Sequence, residues 1–187
     1  MRTRVLSTEV RAALLAVLLA RTAVNGAYRI VYPFLPEIAR GLGVSLGVMG
    51  GLLALRSAAG LAAPLVPRFA ESLGRRAVML VGVAGTAVGC LLLAGASGVT
   101  VAAAGLLTVG LAKPLFDIPM QGWFGARVPY ARRGRVLGVT ELTWALSLLL
   151  ALPAGFLIAA TSWRAPFVLI AMLAAVGAGA VTRLIRA

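Results

Sequence analysis

The chain has 187 residues, of which 61% are hydrophobic and only 12% charged, with a mean hydropathy of +1.00. A soluble domain carries roughly 45–50% apolar and about 25% charged residues, so an ordinary water-soluble fold is excluded, and so is disorder, which needs few apolar residues. The net charge of +13 is not a nucleic-acid footprint, because the 17 arginines and Lys113 cluster between apolar runs rather than along one soluble face.

Six apolar segments follow one another along the chain, at about 10–35, 46–69, 77–96, 99–125, 136–160 and 166–185. Six transmembrane helices of about 20–25 residues with short loops take roughly 150–180 residues, which matches the length. The runs are too long for barrel strands and lack their period-2 alternation. The expected fold is therefore an all-α, six-helix, multi-pass membrane domain spanning residues 1–187. The first segment is too long for a signal-peptide apolar region, and Arg21 and Arg29 interrupt it.

Arginine placement orients the chain. Arg2, Arg4, Arg11, Arg68, Arg75, Arg76, Arg127, Arg132, Arg133, Arg135, Arg183 and Arg186 flank one side of the segments, and only Arg40 and Arg164 flank the other. By the positive-inside rule both termini are expected in the cytoplasm and the chain in the cytoplasmic membrane.

There is no histidine, and Cys90 is the one cysteine. An internal disulfide, a Cys/His metal cluster and Ser-His-Asp chemistry are thereby excluded. Cys90 lies in an apolar run and reads as a small packing residue. No nucleophile-base pair or metal set emerges, so no enzyme activity, metal or cofactor is expected.

Six ionisable residues fall inside the segments: Arg21, Arg29, Arg56, Lys113, Asp117 and Glu141. Each would cost about 2.5–3.5 kcal/mol facing lipid at mid-membrane, so they must face protein or a wet cavity. Segments 1, 2, 4 and 5 carry all six, and segments 3 and 6 carry none. This pattern repeats every three helices and predicts a 3+3 internal repeat. Paired prolines, Pro33 with Pro36 and Pro114 with Pro119, occur in both first members.

In segment 1, the spacing of Arg21, Asn25, Tyr28, Arg29 and Tyr32 places them on one helical face, a candidate cavity wall for a polar or anionic ligand. In segment 4, Lys113, Asp117 and Gln121 recur every four residues and share a face. Glu141 and Asp117 lie about 8 and about 12 Å inside the cytoplasmic end, at similar depth, where both can neighbour Arg21. Arg56 and Trp144 complete the candidate cavity. Asp117 and Glu141 are the candidate proton carriers, each with the alternative of a static ion-pair partner. Gly82, Gly85, Gly89, Gly177 and Gly179 permit close helix contact.

The loop Pro67-Arg68-Phe69-Ala70-Glu71-Ser72-Leu73-Gly74-Arg75-Arg76 resembles the signature G-x-x-x-D-R-x-G-R-R/K of the major facilitator superfamily. Gly74, Arg75 and Arg76 match, Glu71 stands for the Asp, and Pro67 and Ser72 depart from the pattern. The loop 129–135 is similar to that family's R-G-R turn, and Tyr32-Pro33-Phe34-Leu35-Pro36 and Glu141-Leu142-Thr143-Trp144 resemble one uncharacterised branch. Leu106 falls where proton-coupled members carry an Arg, and the antiport motif survives only as Pro153-Ala154-Gly155.

The resemblance implies a secondary transporter of a small solute, with helices 1 and 4 lining a cavity, 2 and 5 flanking it, and 3 and 6 outward. It implies that Glu71, Gly74, Arg75 and Arg76 form a cytoplasmic gate. Members usually have twelve helices, and this chain resembles the first six. Two such units would close a cavity, so a homodimer or a separate second half is the expected partner, beside the lipid bilayer. The cations outnumber the acids among the six buried groups, which favours an anionic solute. A truncated half without activity of its own, and a membrane scaffold, are the alternatives.

Overall fold

The computed structural model describes residues 7–185; Arg2, Arg4 and Arg186 of the orientation count lie outside them. Six helices are long and apolar enough to cross a membrane: α1 (Thr8–Arg29), α2 (Leu46–Ser72), α3 (Arg75–Ala94), α4 (Val99–Arg127), α5 (Tyr130–Ala160) and α6 (Ala165–Leu184). No strand occurs among the described residues. The chain is a multi-pass membrane protein.

Prolines set where these helices depart from the segments read above. α1 ends at Arg29, earlier than the predicted 35, and the chain turns through Ile30–Phe34 before a short helix, Leu35–Leu42. Pro33 and Pro36 account for this, since neither has an N–H to donate to the Arg29 or Tyr32 carbonyl four residues before it, and Pro36 suits the first turn of the short helix. Gly43, at φ 68°, closes the short helix in the left-handed conformation that favours glycine. α2 tightens into a 3-10 stretch at Ala59–Leu65, where Pro64 cannot donate to the turn before it. α5 starts at Tyr130, six residues earlier than expected, and breaks between Leu149 and Ala151. Pro153 leaves the Leu149 carbonyl without its helical donor there. α4 carries Pro114 and Pro119 yet remains one helix. Ser7 and Ser45 cap α1 and α2 by accepting from the amides of Val10 and Val48, both at 3.2 Å.

The packing is two-fold in pattern. α3 packs on α4 as α6 packs on α1, α2 packs on α4 as α5 packs on α1, and α1–α4 and α3–α6 pair across the centre. Exchanging the first three helices for the last three leaves these pairings unchanged, which is the 3+3 repeat. Close approach depends on small residues. A Cβ on Gly82 or Gly89 of α3 would meet α4 backbone at 2.7 and 2.9 Å, and one on Gly177 of α6 would meet Ala20 of α1 at 2.8 Å. Cys90 is fully buried between α3 and its neighbours. The α2 and α5 spans are the least covered, at 22% and 17% buried against 39–61% for the rest. They are the open flanks of the bundle.

The arginine-rich helix ends meet on one side. Arg127 of α4 pairs with Glu9 of α1 at 3.7 Å, and Arg76 of α3 donates to the Thr182 carbonyl of α6. On the other side Arg164 donates to the Ala96 carbonyl at 2.7 Å. Single cysteines at Ser97 and Arg183, both exposed, are expected to label from opposite sides of the membrane, and buried Cys90 will not interfere. Labelling of both from one side would contradict the arrangement.

Candidate functional site

The ionisable residues converge on the inner face of α1, where α4 and α5 cross it. Arg21, only 4% exposed, is the hub. Its Nε donates to Asp117 Oδ1 at 3.0 Å, and its Nη1 donates to Glu141 Oε1 at 2.7 Å and to the Thr140 carbonyl at 2.8 Å. One planar guanidinium thus ties α1 to α4 and α5, a geometry for which arginine is suited and lysine is not. Lys113 Nζ donates to Asp117 Oδ2 at 2.7 Å and to Asn25 Oδ1 at 2.8 Å, and Asn25 Nδ2 donates to Thr143 Oγ1 at 3.0 Å. Both oxygens of Asp117 are therefore held by cations. Glu141 has one, and its side chain is 57% exposed on the open face. Arg21, Lys113, Asp117 and Glu141 balance in charge.

Farther from the arginine-rich end, cations rest on aromatic rings. Arg56, fully buried, lies 3.9 Å from the Tyr28 ring centroid and 5.1 Å from that of Tyr32. It donates to the Tyr28 carbonyl at 2.6 Å and to the Tyr32 hydroxyl at 2.8 Å. Arg29 stacks 4.2 Å from the Trp144 centroid and donates to its carbonyl at 3.2 Å. Lys113 stands between Tyr28 and Trp144, at 5.8 and 5.4 Å.

The structure thus joins Arg21, Asn25, Tyr28, Arg29, Tyr32, Arg56, Lys113, Asp117, Glu141 and Trp144 in one network. Three details differ from the sequence reading. Asn25 is wholly buried beneath its own hydrogen bonds rather than lining an open wall. Gln121 shares the face but is exposed and bonds to none of the others. Tyr32 reaches the network from the turn beyond α1, not from the helix. Thr140 and Thr143 were missed. Both are fully buried with Ser147 at helical spacing, the signal that marks a polar stripe. Leu106 is 1% exposed core.

Asn25→Leu is expected to cost about 1–3 kcal/mol, because it strips partners from Lys113 and Thr143 while keeping the volume. Unfolding of the purified variant in detergent measures this, and an unchanged stability would contradict the role.

At the arginine-rich end, Glu71, Gly74, Arg75 and Arg76 line a cavity of about 670 Å³ with Pro119, Trp123 and Arg127. Gly74, at φ 86°, adopts the left-handed backbone that its place in the motif requires. Glu71 makes no ion pair among the described residues, so Arg75 and Arg76 are not its partners here. Among the described residues no cluster of metal-ligating groups occurs.

Comparison with known proteins agrees with this architecture. The chain is 27% identical to the uncharacterized MFS-type transporter YwfA of Bacillus subtilis (strain 168), over 74% of this chain and 34% of that protein. It spans about a third of the length of that curated relative. The family profile of the Major Facilitator Superfamily matches residues 17–187. The chain belongs to the Major Facilitator Superfamily.

Proposed function

We propose that the chain supplies one six-helix half of a secondary transporter, moving a small solute across the cytoplasmic membrane along the face of α1, α2, α4 and α5. The observation that carries this reading is the polar network. Six ionisable groups gather on one face while the flanking helices of that face are the least covered. Lipid there would leave Glu141, Arg29 and Lys113 facing hydrocarbon at a cost of several kcal/mol. A second six-helix layer would close a wet cavity instead. The partner is a second six-helix unit, either another copy or a second half, and both termini of the six-helix unit face the cytoplasm. Of the two carboxylates, Glu141 is the proton carrier in this reading, because it has a single cation partner and faces the opening. Asp117 is the fixed counter-ion. Glu71, Arg75 and Arg76 belong to the cytoplasmic gate, where Arg76 already ties α3 to the end of α6.

The test is reconstitution into liposomes under an imposed pH gradient, with a panel of labelled carboxylates, phosphate esters, amines and sugars. Uptake of one class above that of empty vesicles, lost in Glu141→Gln when the gradient drives it, is expected. Folded, paired protein that moves none of them would contradict transport.

A further inference from the structure

A charge inventory of the site leaves a remainder. Arg21 and Lys113 are matched by Asp117 and Glu141. Arg29 and Arg56 enter no ion pair among the described residues. They stand at the two ends of an alternating series of cations and rings, Arg56–Tyr28–Lys113–Trp144–Arg29, drawn from α1, α2, α4 and α5. Ring faces and carbonyls hold these cations without neutralising them. In a low-dielectric setting the field of two unmatched charges persists across this face of the bundle.

The two arginines differ in what they can do. Arg56 is wholly buried, and its Nε is a buried donor with no partner among the described residues. It can supply field but is closed to a solute. Arg29 is half-buried and stacked on Trp144, which is 43% exposed. Among the described residues only its Nη1 is engaged, by the Trp144 carbonyl. A guanidinium stacked on a ring keeps its edge donors directed outward, in the fork that matches an oxyanion.

We propose that the solute is an organic anion whose carboxylate or phosphate docks on the free edge of Arg29, beside Trp144, in the field of Arg56 and Lys113. The proposal rests on the transport reading and names its substrate class. It also bears on the partner. Two copies set face to face would oppose four unmatched arginines and need an anion between them. A distinct second half carrying carboxylates would supply the counter-charge itself, and the site would then not select anions.

Thermal unfolding of the full chain in native-lipid nanodiscs tests this, at matched ionic strength, with succinate, benzoate, glycerol phosphate, benzamide and benzylamine. The anions are expected to stabilise the protein, benzamide and benzylamine not. Stabilisation by the carboxylates alone or by glycerol phosphate alone identifies the anionic group, and either supports the proposal. Arg29→Gln is expected to weaken the apparent anion affinity about tenfold, the effect of one charge-assisted hydrogen bond. Arg29→Lys, which keeps the charge but loses the fork, should retain part of it and serves if Arg29→Gln does not fold. Stabilisation by benzylamine with none by anions overturns the proposal, as does anion stabilisation indifferent to both Arg29 variants. Vesicle flux separates the two readings. Uptake of an amine without anion binding leaves a transporter with another substrate class. Anion binding without any flux leaves the site and removes transport.

Discussion

Arg21→Met is expected to destabilise the bundle by about 3 kcal/mol. Breaking a buried ion pair costs about 3–5 kcal/mol when one charge is left behind. The lower end applies because Asp117 keeps Lys113 and Glu141 is 57% exposed and partly solvated. The loss falls on the joints of α1 with both α4 and α5, since three of its hydrogen bonds cross them. Arg21→Lys should recover only part, because one ammonium cannot direct bonds to two carboxylates and a carbonyl in the same plane. Arg21→Met with Glu141→Gln restores charge balance around the intact Lys113–Asp117 pair and should be more stable than Arg21→Met alone. Denaturant unfolding in detergent gives these values. A loss within about 0.5 kcal/mol, the level of an exposed pair, would show that the network does not hold the helices together.

Gly82→Val should be damaging on a similar scale, for a steric reason. The first carbon added at Gly82 would lie 2.7 Å from the Phe116 amide nitrogen and 2.9 Å from the Ala112 carbonyl oxygen. Both are backbone atoms of α4, so no side chain can rotate away, and the helices must part. Overpacking of this kind costs about 1–3 kcal/mol, and the branched side chain adds further clashes along the same seam. Gly179→Val is the control, because nothing lies within 4 Å of a Cβ there and the change should stay within about 0.5 kcal/mol. Folded yield and unfolding temperature of the two variants, compared directly, check the seam. Equal behaviour would contradict it.

The polar network was legible because helical spacing and membrane energetics constrain the same residues. Arg21, Asn25 and Arg29 had to share a face, and charged groups on four helices of six had to avoid lipid. The depth argument for Asp117 and Glu141 worked because rise per residue is nearly constant in a helix. The missed features are those whose local signature is absent or unspecific. Asn25 is buried because two other helices cover it, which spacing along α1 does not reveal. Gln121 keeps the four-residue rhythm but lies one turn past Asp117, beyond the reach of Arg21. Thr140 and Thr143 serve through a carbonyl and a hydroxyl that any residue or many residues provide. The 3-10 stretch of α2 and the break in α5 follow from Pro64 and Pro153, whose presence was visible but whose outcome differs from that of Pro114 and Pro119 in unbroken α4. Tertiary packing decides between a break and a tolerated proline.

The central claim is that the α1, α2, α4 and α5 face borders water while α3 and α6 border lipid. Single cysteines at Gln121 and Trp144, and at Val88 and Val176, place reporters on the two faces. All four native residues are exposed on the bundle. In intact membranes, a charged, membrane-impermeant thiol reagent is expected to modify Gln121→Cys and Trp144→Cys and to leave Val88→Cys and Val176→Cys unmodified, since thiolates do not form in hydrocarbon. Modification of the α3 and α6 positions with protection of the α4 and α5 positions would contradict the account.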